Sequence, residues 1–130
     1  MKEVYEFLKK CGTYYLATID GKYPRVRPFG TIDIFEGKLY FQTGKAKKVS
    51  SQIKENPYVE ICAFSDGNWL RVSGEAILDD NIEAQKHMLD QYPSLKAMYA
   101  PGDGNTEVFY LKNARAEFCS FVSPAKTIEF

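Results

Sequence analysis

The chain has 130 residues, and its 17 basic side chains are balanced by 17 acidic ones. This length favours one domain, large enough to bury a hydrophobic core without disulfide or metal staples. Balanced charge argues against a general nucleic-acid binder, whose affinity depends on a broad basic face. No apolar run approaches the roughly 18 residues that span a bilayer, and the N-terminus carries no signal-peptide core. We therefore expect a cytoplasmic protein with neither nucleic-acid nor membrane partners.

The apolar periodicity and the turn residues predict a mainly β chain with flanking helices. The predicted elements are a helix at 2–10, strands at 13–19, 23–34 and 39–43, a helix that starts near 45 and ends before 57, strands at 58–64 and 69–78, helical pieces at 82–91 and 94–99, and strands at 107–111 and 116–122. Asp20-Gly21 is a strong hairpin signal, and Asn81 is a suitable helix N-cap. Six or seven mostly antiparallel strands in one domain, residues 1–130, indicate a small barrel.

A lysine cluster lies at an unfavourable end of the second predicted helix. Lys45, Lys47 and Lys48 fall in or just before its first turn, where the helix dipole and the free N–H groups are positive. A bound anion would reverse the unfavourable sign, and phosphate is a common ligand at this position. The alternative is a solvated cluster that water and salt screen.

Other side chains extend this anion-binding pattern. Arg25 and Arg27 project from the same face of one strand, beside Phe29, and an inward-facing arginine is costly unless it meets an anion. Thr43 offers a hydroxyl and an N–H at the turn before the lysines, and Trp69 begins a later strand. Taken singly, the arginines could face solvent and Trp69 could belong to the core. Together they describe a phosphate cradle beside an aromatic wall, which suits a phosphorylated planar cofactor.

Several other chemistries lack a motif. His87 is the only histidine, lies in a polar helical stretch without other ligands at metal-binding spacing, and is expected to be exposed. Neither a Walker loop nor a GxGxxG fingerprint is present. Cys11, Cys62 and Cys119 are widely spaced and form no CxxC pair, so we expect mostly buried, reduced thiols rather than a disulfide frame or a zinc site.

The order of these motifs resembles that of the pyridoxamine 5′-phosphate oxidase-like FMN-binding split barrels, and the length is similar to that of their small, nitroimidazole-reductase-like members. The resemblance rests on Arg27-Pro28-Phe29, Tyr40 to Thr43, Lys47-Lys48 and Gln52 to Pro57. It implies a split β-barrel homodimer with one FMN in each of two clefts at the subunit interface. The oxidase's C-terminal motif for its phosphorylated substrate is not found here, which argues against pyridoxamine phosphate as the substrate.

The resemblance also implies roles for individual residues. Arg27 and Lys48 would contact the FMN phosphate, with Lys47 and Thr43 alongside. The strand segment from Arg27 through Pro28 to Phe29 would pass the isoalloxazine ring, as would Gln42, and Trp69 would pack on the flavin edge.

Three functional hypotheses follow. The first is an FMN-dependent reductase or oxidase that acts on a small-molecule substrate, with the flavin carrying hydride or electrons. The second is a flavin- or haem-binding carrier or sensor without turnover. A third, a barrel that binds single-stranded nucleic acid, uses the same aromatic and basic residues but is disfavoured by the neutral overall charge.

Overall fold

The computed structural model describes residues 1–130 and contains eight strands, three α-helices and one 3-10 helix. The elements are α1 (Lys2–Cys11), β1 (Tyr14–Asp20), β2 (Tyr23–Phe29), β3 (Asp33–Phe35), β4 (Lys38–Gly44), α2 (Lys48–Glu55), β5 (Tyr58–Ser65), β6 (Asn68–Asp79), α3 (Ile82–Gln91), the 3-10 helix (Pro93–Ala97), β7 (Thr106–Ser120) and β8 (Lys126–Glu129). No helix is long and apolar enough to cross a membrane.

All strands belong to one antiparallel sheet in the order β2-β1-β5-β6-β7-β4-β3, with β8 added beside β7. β2 and β4 are not paired, yet side chains join them across the gap. The rings of Phe29 and Phe41 meet edge to face at 5.6 Å, and the Gln42 N–H donates to the Thr31 hydroxyl at 3.0 Å. The sheet therefore curls into a barrel with a gap, which confirms the predicted mainly β split barrel.

Alternating side chains along the strands fill the barrel interior, as the two-residue period of a strand requires. The fully buried residues Leu16, Phe41, Ile61 and Leu70 lie on four different strands. The helices close the barrel with apolar faces, and α2 contributes Val49 and Ile53 to the same core cluster. α2 is thus anchored by its apolar face, while Lys47 and Lys48 at its start stay exposed.

The strand boundaries differ from the sequence prediction in three places. β2 ends at Phe29, because Thr31 bonds to Gln42 by its side chain, and β3 begins only at Asp33. β7 runs unbroken over Thr106–Ser120, where the sequence predicted two separate strands. Its pairing with β6 shifts register at Ser73/Glu75, which lets the strand continue through the predicted break. The C-terminal residues, where no strand was predicted, pair with β7 as β8.

The cysteines also differ from expectation. All three are free, but Cys62 is exposed and the other two are half-buried. Cys62 points outward because the buried Ile61 and Ala63 on either side of it occupy the inward positions of β5. The expected burial was therefore wrong.

Candidate functional site

Two adjoining clefts open where the ends of the sheet approach each other. The first, called here the basic cleft, measures about 440 Å³ and lies between β1, β2 and the start of α2. Its charged lining residues are Asp20, Arg25, Arg27, Lys47 and Lys48. The second, the covered cleft, measures about 270 Å³ and lies between the end of β2, the end of β4 and the 3-10 segment. Arg27 and Lys47 line both clefts, so a single elongated ligand could occupy the two together.

Arg27 lies at the junction of the clefts and is held only by uncharged acceptors. Its guanidinium donates to the Thr18 hydroxyl at 2.8 Å and to Gln52 Oε1 at 2.6 Å. The Thr18 hydroxyl in turn donates to Gln52 Oε1 at 2.6 Å, which locks the three side chains together. No carboxylate neutralises Arg27, and partial burial together with the nearby Arg25 lowers the pKa of its guanidinium. This fixed and uncompensated cation favours an anionic ligand.

Arg25 is less available. Its Nε donates to Asp20 Oδ2 at 3.1 Å, and both side chains are about half exposed. The guanidinium therefore already has a carboxylate partner, unlike that of Arg27. Of the two arginines that the sequence predicted on one face of the strand, Arg27 has no carboxylate partner and Arg25 is paired with Asp20.

The α2 N-terminus adds further positive charge beside Arg27. Lys47 is the N-cap residue, no side chain caps the helix, and its first turn contains no acidic residue. The preceding turn is held by Asn105, whose backbone and side-chain oxygens accept from the Lys45 and Ala46 N–H groups at 2.7 and 3.1 Å. The lysines lie where the sequence predicted them, at a helix end where the Ser50 N–H bonds back to the Lys47 carbonyl at 3.1 Å and the N–H groups of Lys48 and Val49 lack intrahelical partners.

A buried carboxylate sets the position of α2. Glu107 of β7 is 8% exposed. Its two oxygens accept from the Ser50 hydroxyl at 2.5 Å and from Lys54 Nζ at 2.6 Å, so both bonds lead to α2. Because Gln52 on the same helix bonds to Arg27, α2 is tied both to the sheet and to the guanidinium.

The covered cleft contains a buried polar atom without a partner. Gln42 is 5% exposed, and its Oε1 is the one buried side-chain polar atom of the chain that no group hydrogen-bonds. A terminal amide rotates readily about its last torsion, and such an unpaired buried acceptor is unfavourable. The Gln42 amide is therefore suited to accept a hydrogen bond from a ligand.

The covered cleft is bounded on one side by Leu95, Met98 and Tyr99, which follow α3 in the chain. Hydrogen bonds tie α3 and this segment to the connector between β2 and β3 and to the start of β3. Tyr92, just after α3, donates to the Ile32 carbonyl at 3.1 Å and accepts from the Ile32 N–H at 3.0 Å. His87 Nδ1 lies 2.6 Å from Asp33 Oδ2. The expected exposure of His87 was wrong: the ring is half-buried, because the fold brings Asp33 to it from a distant strand. Burial raises the pKa of the Asp33 carboxyl, and the bond to His87 opposes that rise.

Seven of the eight predicted cofactor-binding residues line the two clefts. They are Arg27, Pro28, Phe29, Gln42, Thr43, Lys47 and Lys48. Trp69 lies elsewhere, with its ring 5.0 Å from that of Phe121, so its contact with the flavin stays a prediction. No group of three or more His, Cys, Asp or Glu side chains is placed to hold a metal ion.

Sequence reasoning missed two groups of site residues. Thr18 and Gln52 position Arg27. Gln52 belonged to the Gln52 to Pro57 segment of the family resemblance, but nothing in the neighbouring sequence indicated that it bonds to Arg27. Leu95, Met98 and Tyr99 cover the second cleft, and their short helical segment carried no functional signal in the sequence.

The family and the fold agree with this geometry. The model of the pyridoxamine 5′-phosphate oxidase family matches residues 1–120, so the chain belongs to this family. The crystal structure of a NimC/NimA family protein from Clostridium acetobutylicum is 42% identical, with a TM-score of 0.96 over 100% of this chain and 92% of that one. A search among curated proteins found no match.

Two more distant structures share the fold. General Stress Protein 26 from Bacillus anthracis is 18% identical, with a TM-score of 0.76 over 99% of this chain and 98% of that one. A pyridoxamine 5′-phosphate oxidase-related, FMN-binding protein from Nostoc punctiforme is 17% identical, with a TM-score of 0.63 over 97% of this chain and 90% of that one.

We predict that Glu107→Ala lowers the free energy of unfolding by about 2 kcal/mol, because it leaves the Ser50 hydroxyl buried without a partner. The lost ion pair adds little, since Lys54 is 38% exposed. Urea denaturation checks this prediction. Glu129→Ala is the matched control, since Glu129 is 74% exposed and should cost less than about 0.5 kcal/mol. Equal, small losses in both variants would show that Glu107 does not hold α2.

Proposed function

We propose that the protein binds FMN, with the phosphate in the basic cleft and the isoalloxazine ring in the covered cleft, and acts as an oxidoreductase on a small molecule. The observation that carries this proposal is the uncompensated guanidinium of Arg27 at the junction of the two clefts. The family, and the FMN-binding relative from Nostoc punctiforme, support the choice of flavin.

The residues of the basic cleft fit a phosphate monoester. Such a group is dianionic and offers several acceptor oxygens, which match a guanidinium, two lysines and helix N-terminal N–H groups. Arg27 and Lys48 bind the phosphate in this proposal, with Lys47 and Thr43 beside it. Because α2 and Arg27 are tied together through Gln52, the cations are positioned before the ligand arrives.

The residues of the covered cleft fit a flat ring with a polar edge. Phe29 offers an apolar surface next to the backbone of Pro28 and Gly30. The imide edge of an isoalloxazine carries an N–H group, which can donate to the unpaired oxygen of Gln42. The ring would thus fit the apolar surface of the cleft and would supply a hydrogen bond to the unpaired Gln42 oxygen.

FMN, when bound, supplies the hydride or electron transfer, and the protein supplies anchoring and orientation. In this proposal the residues of the covered cleft bind and orient the flavin, and none of them is assigned a covalent step. The haem alternative is less well supported, because His87 is bonded to Asp33 and lies outside both clefts.

We also propose that the protein is a homodimer. Tyr15, Val26 and Phe64 lie on the outer face of the adjacent strands β1, β2 and β5, with exposed fractions of 51%, 67% and 63%. Large apolar side chains grouped on one face mark an interaction surface. Trp69 pairs with Phe64 at the margin of this face, so only a second copy would bring Trp69 to a flavin.

Arg27→Ala and Lys48→Ala are each expected to weaken FMN binding about tenfold to hundredfold, since each removes a charge-assisted contact worth roughly 1.5–3 kcal/mol. Quenching of flavin fluorescence during titration of the apoprotein measures the Kd. Lys112→Ala removes an exposed lysine of β7 that lines neither cleft, and should leave the Kd unchanged. Wild-type affinity in both cleft variants would refute the assigned phosphate site.

Gln42→Leu is expected to stabilise the apoprotein and to weaken its binding of FMN. Removing an unpaired buried acceptor should raise the free energy of unfolding of the apoprotein by roughly 1 kcal/mol, while loss of the hydrogen bond should weaken FMN binding about tenfold. Thermal denaturation and FMN titration provide the two measurements. Gln91→Leu, at an exposed position of α3, is the control. Unchanged FMN affinity in Gln42→Leu would exclude the bond to the ring.

Phe64→Asp is expected to convert the dimer to a monomer, because it places a charge in the proposed apolar interface. Sedimentation equilibrium should give twice the chain mass of 14.8 kDa for the wild type and the single mass for the variant. Ile82→Asp, at a position on α3 that is 48% exposed, should remain a dimer. A monomeric wild type would contradict the proposed assembly.

A further inference from the structure

We propose that the 3-10 side of the covered cleft binds the substrate and selects an uncharged or anionic small molecule with a hydrogen-bond-accepting oxygen, which the Tyr99 hydroxyl recognises. This inference rests on the proposed function, since it takes the flavin to lie along β2 and β4. It names the class of substrate that the remaining wall of the cleft can accept.

The order of the side chains along the two clefts shows where the 3-10 side of the covered cleft lies relative to the phosphate site. The cations Arg27 and Lys47 mark the end of the covered cleft that adjoins the basic cleft, and Leu95, Met98 and Tyr99 form its cover. Met98 is 70% exposed, so the cleft reaches solvent beside this cover. A substrate entering there meets the ring before it meets the phosphate cradle.

The charge of the residues that line the two clefts disfavours one class of substrate. The residues that line the two clefts carry four cations and a single carboxylate, Asp20, which already pairs with Arg25. A dianionic phosphate therefore leaves a net positive charge, and no carboxylate lies in the covered cleft to receive a cation. A protonated amine would be desolvated next to like charge, which is unfavourable. Uncharged and anionic molecules do not incur that cost.

Tyr99 supplies the polar contact on this wall. The residue is half-buried, and its hydroxyl makes no hydrogen bond to the protein; because Gln42 Oε1 is the one fully buried side-chain polar atom without a partner, the Tyr99 oxygen keeps some exposed surface through which a ligand can reach it. The hydroxyl lies above Gly44: a Cβ at that position would be 3.0 Å from the Tyr99 oxygen. Glycine at position 44 thus makes room for the phenol at the edge of the cleft, where it can donate to a ligand.

The segment that carries Tyr99 is fixed at both ends. On one side Tyr92 bonds to Ile32, and on the other Asp103 accepts from the N–H groups of Ala100, Asn105 and Thr106. These backbone bonds lower the pKa of Asp103 to about 2, so it is ionised at neutral pH. Tyr99 is therefore held in place before a ligand binds, which favours a role in selectivity.

Three probes of equal size and different charge test the inference: benzamide, benzoate and benzylamine. Each is titrated into the oxidised, FMN-loaded protein at neutral pH, and its Kd is read from the change in the flavin absorbance. We expect benzamide and benzoate to bind at least tenfold more tightly than benzylamine.

Tyr99→Phe should weaken benzamide binding about fivefold to tenfold and leave the FMN Kd unchanged, because the hydroxyl has no partner within the chain. Tyr110→Phe, a tyrosine of β7 outside both clefts, should change neither constant. Equal binding of benzylamine, no binding of any probe, or unchanged benzamide binding in Tyr99→Phe would each overturn the inference while the proposed function stands. Failure of the wild type to bind FMN would overturn both.

Discussion

The hydrogen bonds that join Arg27, Thr18 and Gln52 are the interaction on which the site depends. They hold a guanidinium at the gap of the barrel without neutralising it, because every acceptor is uncharged. They also tie the middle of α2, at Gln52, to β1 and β2, and the lysines at the start of that helix line the same cleft as the arginine. A site of this kind has its charge and its geometry set before any ligand is present, which is the condition for selective anion binding.

The rest of the fold supports this arrangement from two sides. Glu107 fixes α2 from within the sheet, through Ser50 and Lys54. On the opposite side, Tyr92, between α3 and the 3-10 helix, bonds to Ile32 of the connector that follows β2, and His87 of α3 bonds to Asp33 at the start of β3. The gap in the barrel is therefore a cleft with both walls tied to the sheet, and the walls differ chemically: one is cationic and polar, and the other consists of Leu95, Met98 and Tyr99, with a single hydroxyl.

The sequence predicted what depends on local pattern, and it failed where distant segments meet. Periodicity predicted the helices and most strands. Helix electrostatics alone singled out the lysines at the start of α2 as candidate anion-binding residues. The pairing of His87 with Asp33 was missed because 54 positions separate them in the chain. Tyr99 was missed for the same reason, since its importance comes from the approach to Gly44. Trp69 lies against Phe121 and beside Phe64 of the outer face, so its contact with a flavin stays a prediction that depends on a second copy of the chain.

Comparison of FMN with riboflavin tests the central claim most directly, because the two differ only in the phosphate. The measurement is the Kd of each for the apoprotein, from quenching of flavin fluorescence at low and at physiological salt. The account predicts one FMN per chain, bound at least about a hundredfold more tightly than riboflavin, since several charge-assisted hydrogen bonds depend on the phosphate. It also predicts that salt weakens FMN binding more than riboflavin binding. Equal affinities for the two flavins, or no binding of FMN, would contradict it.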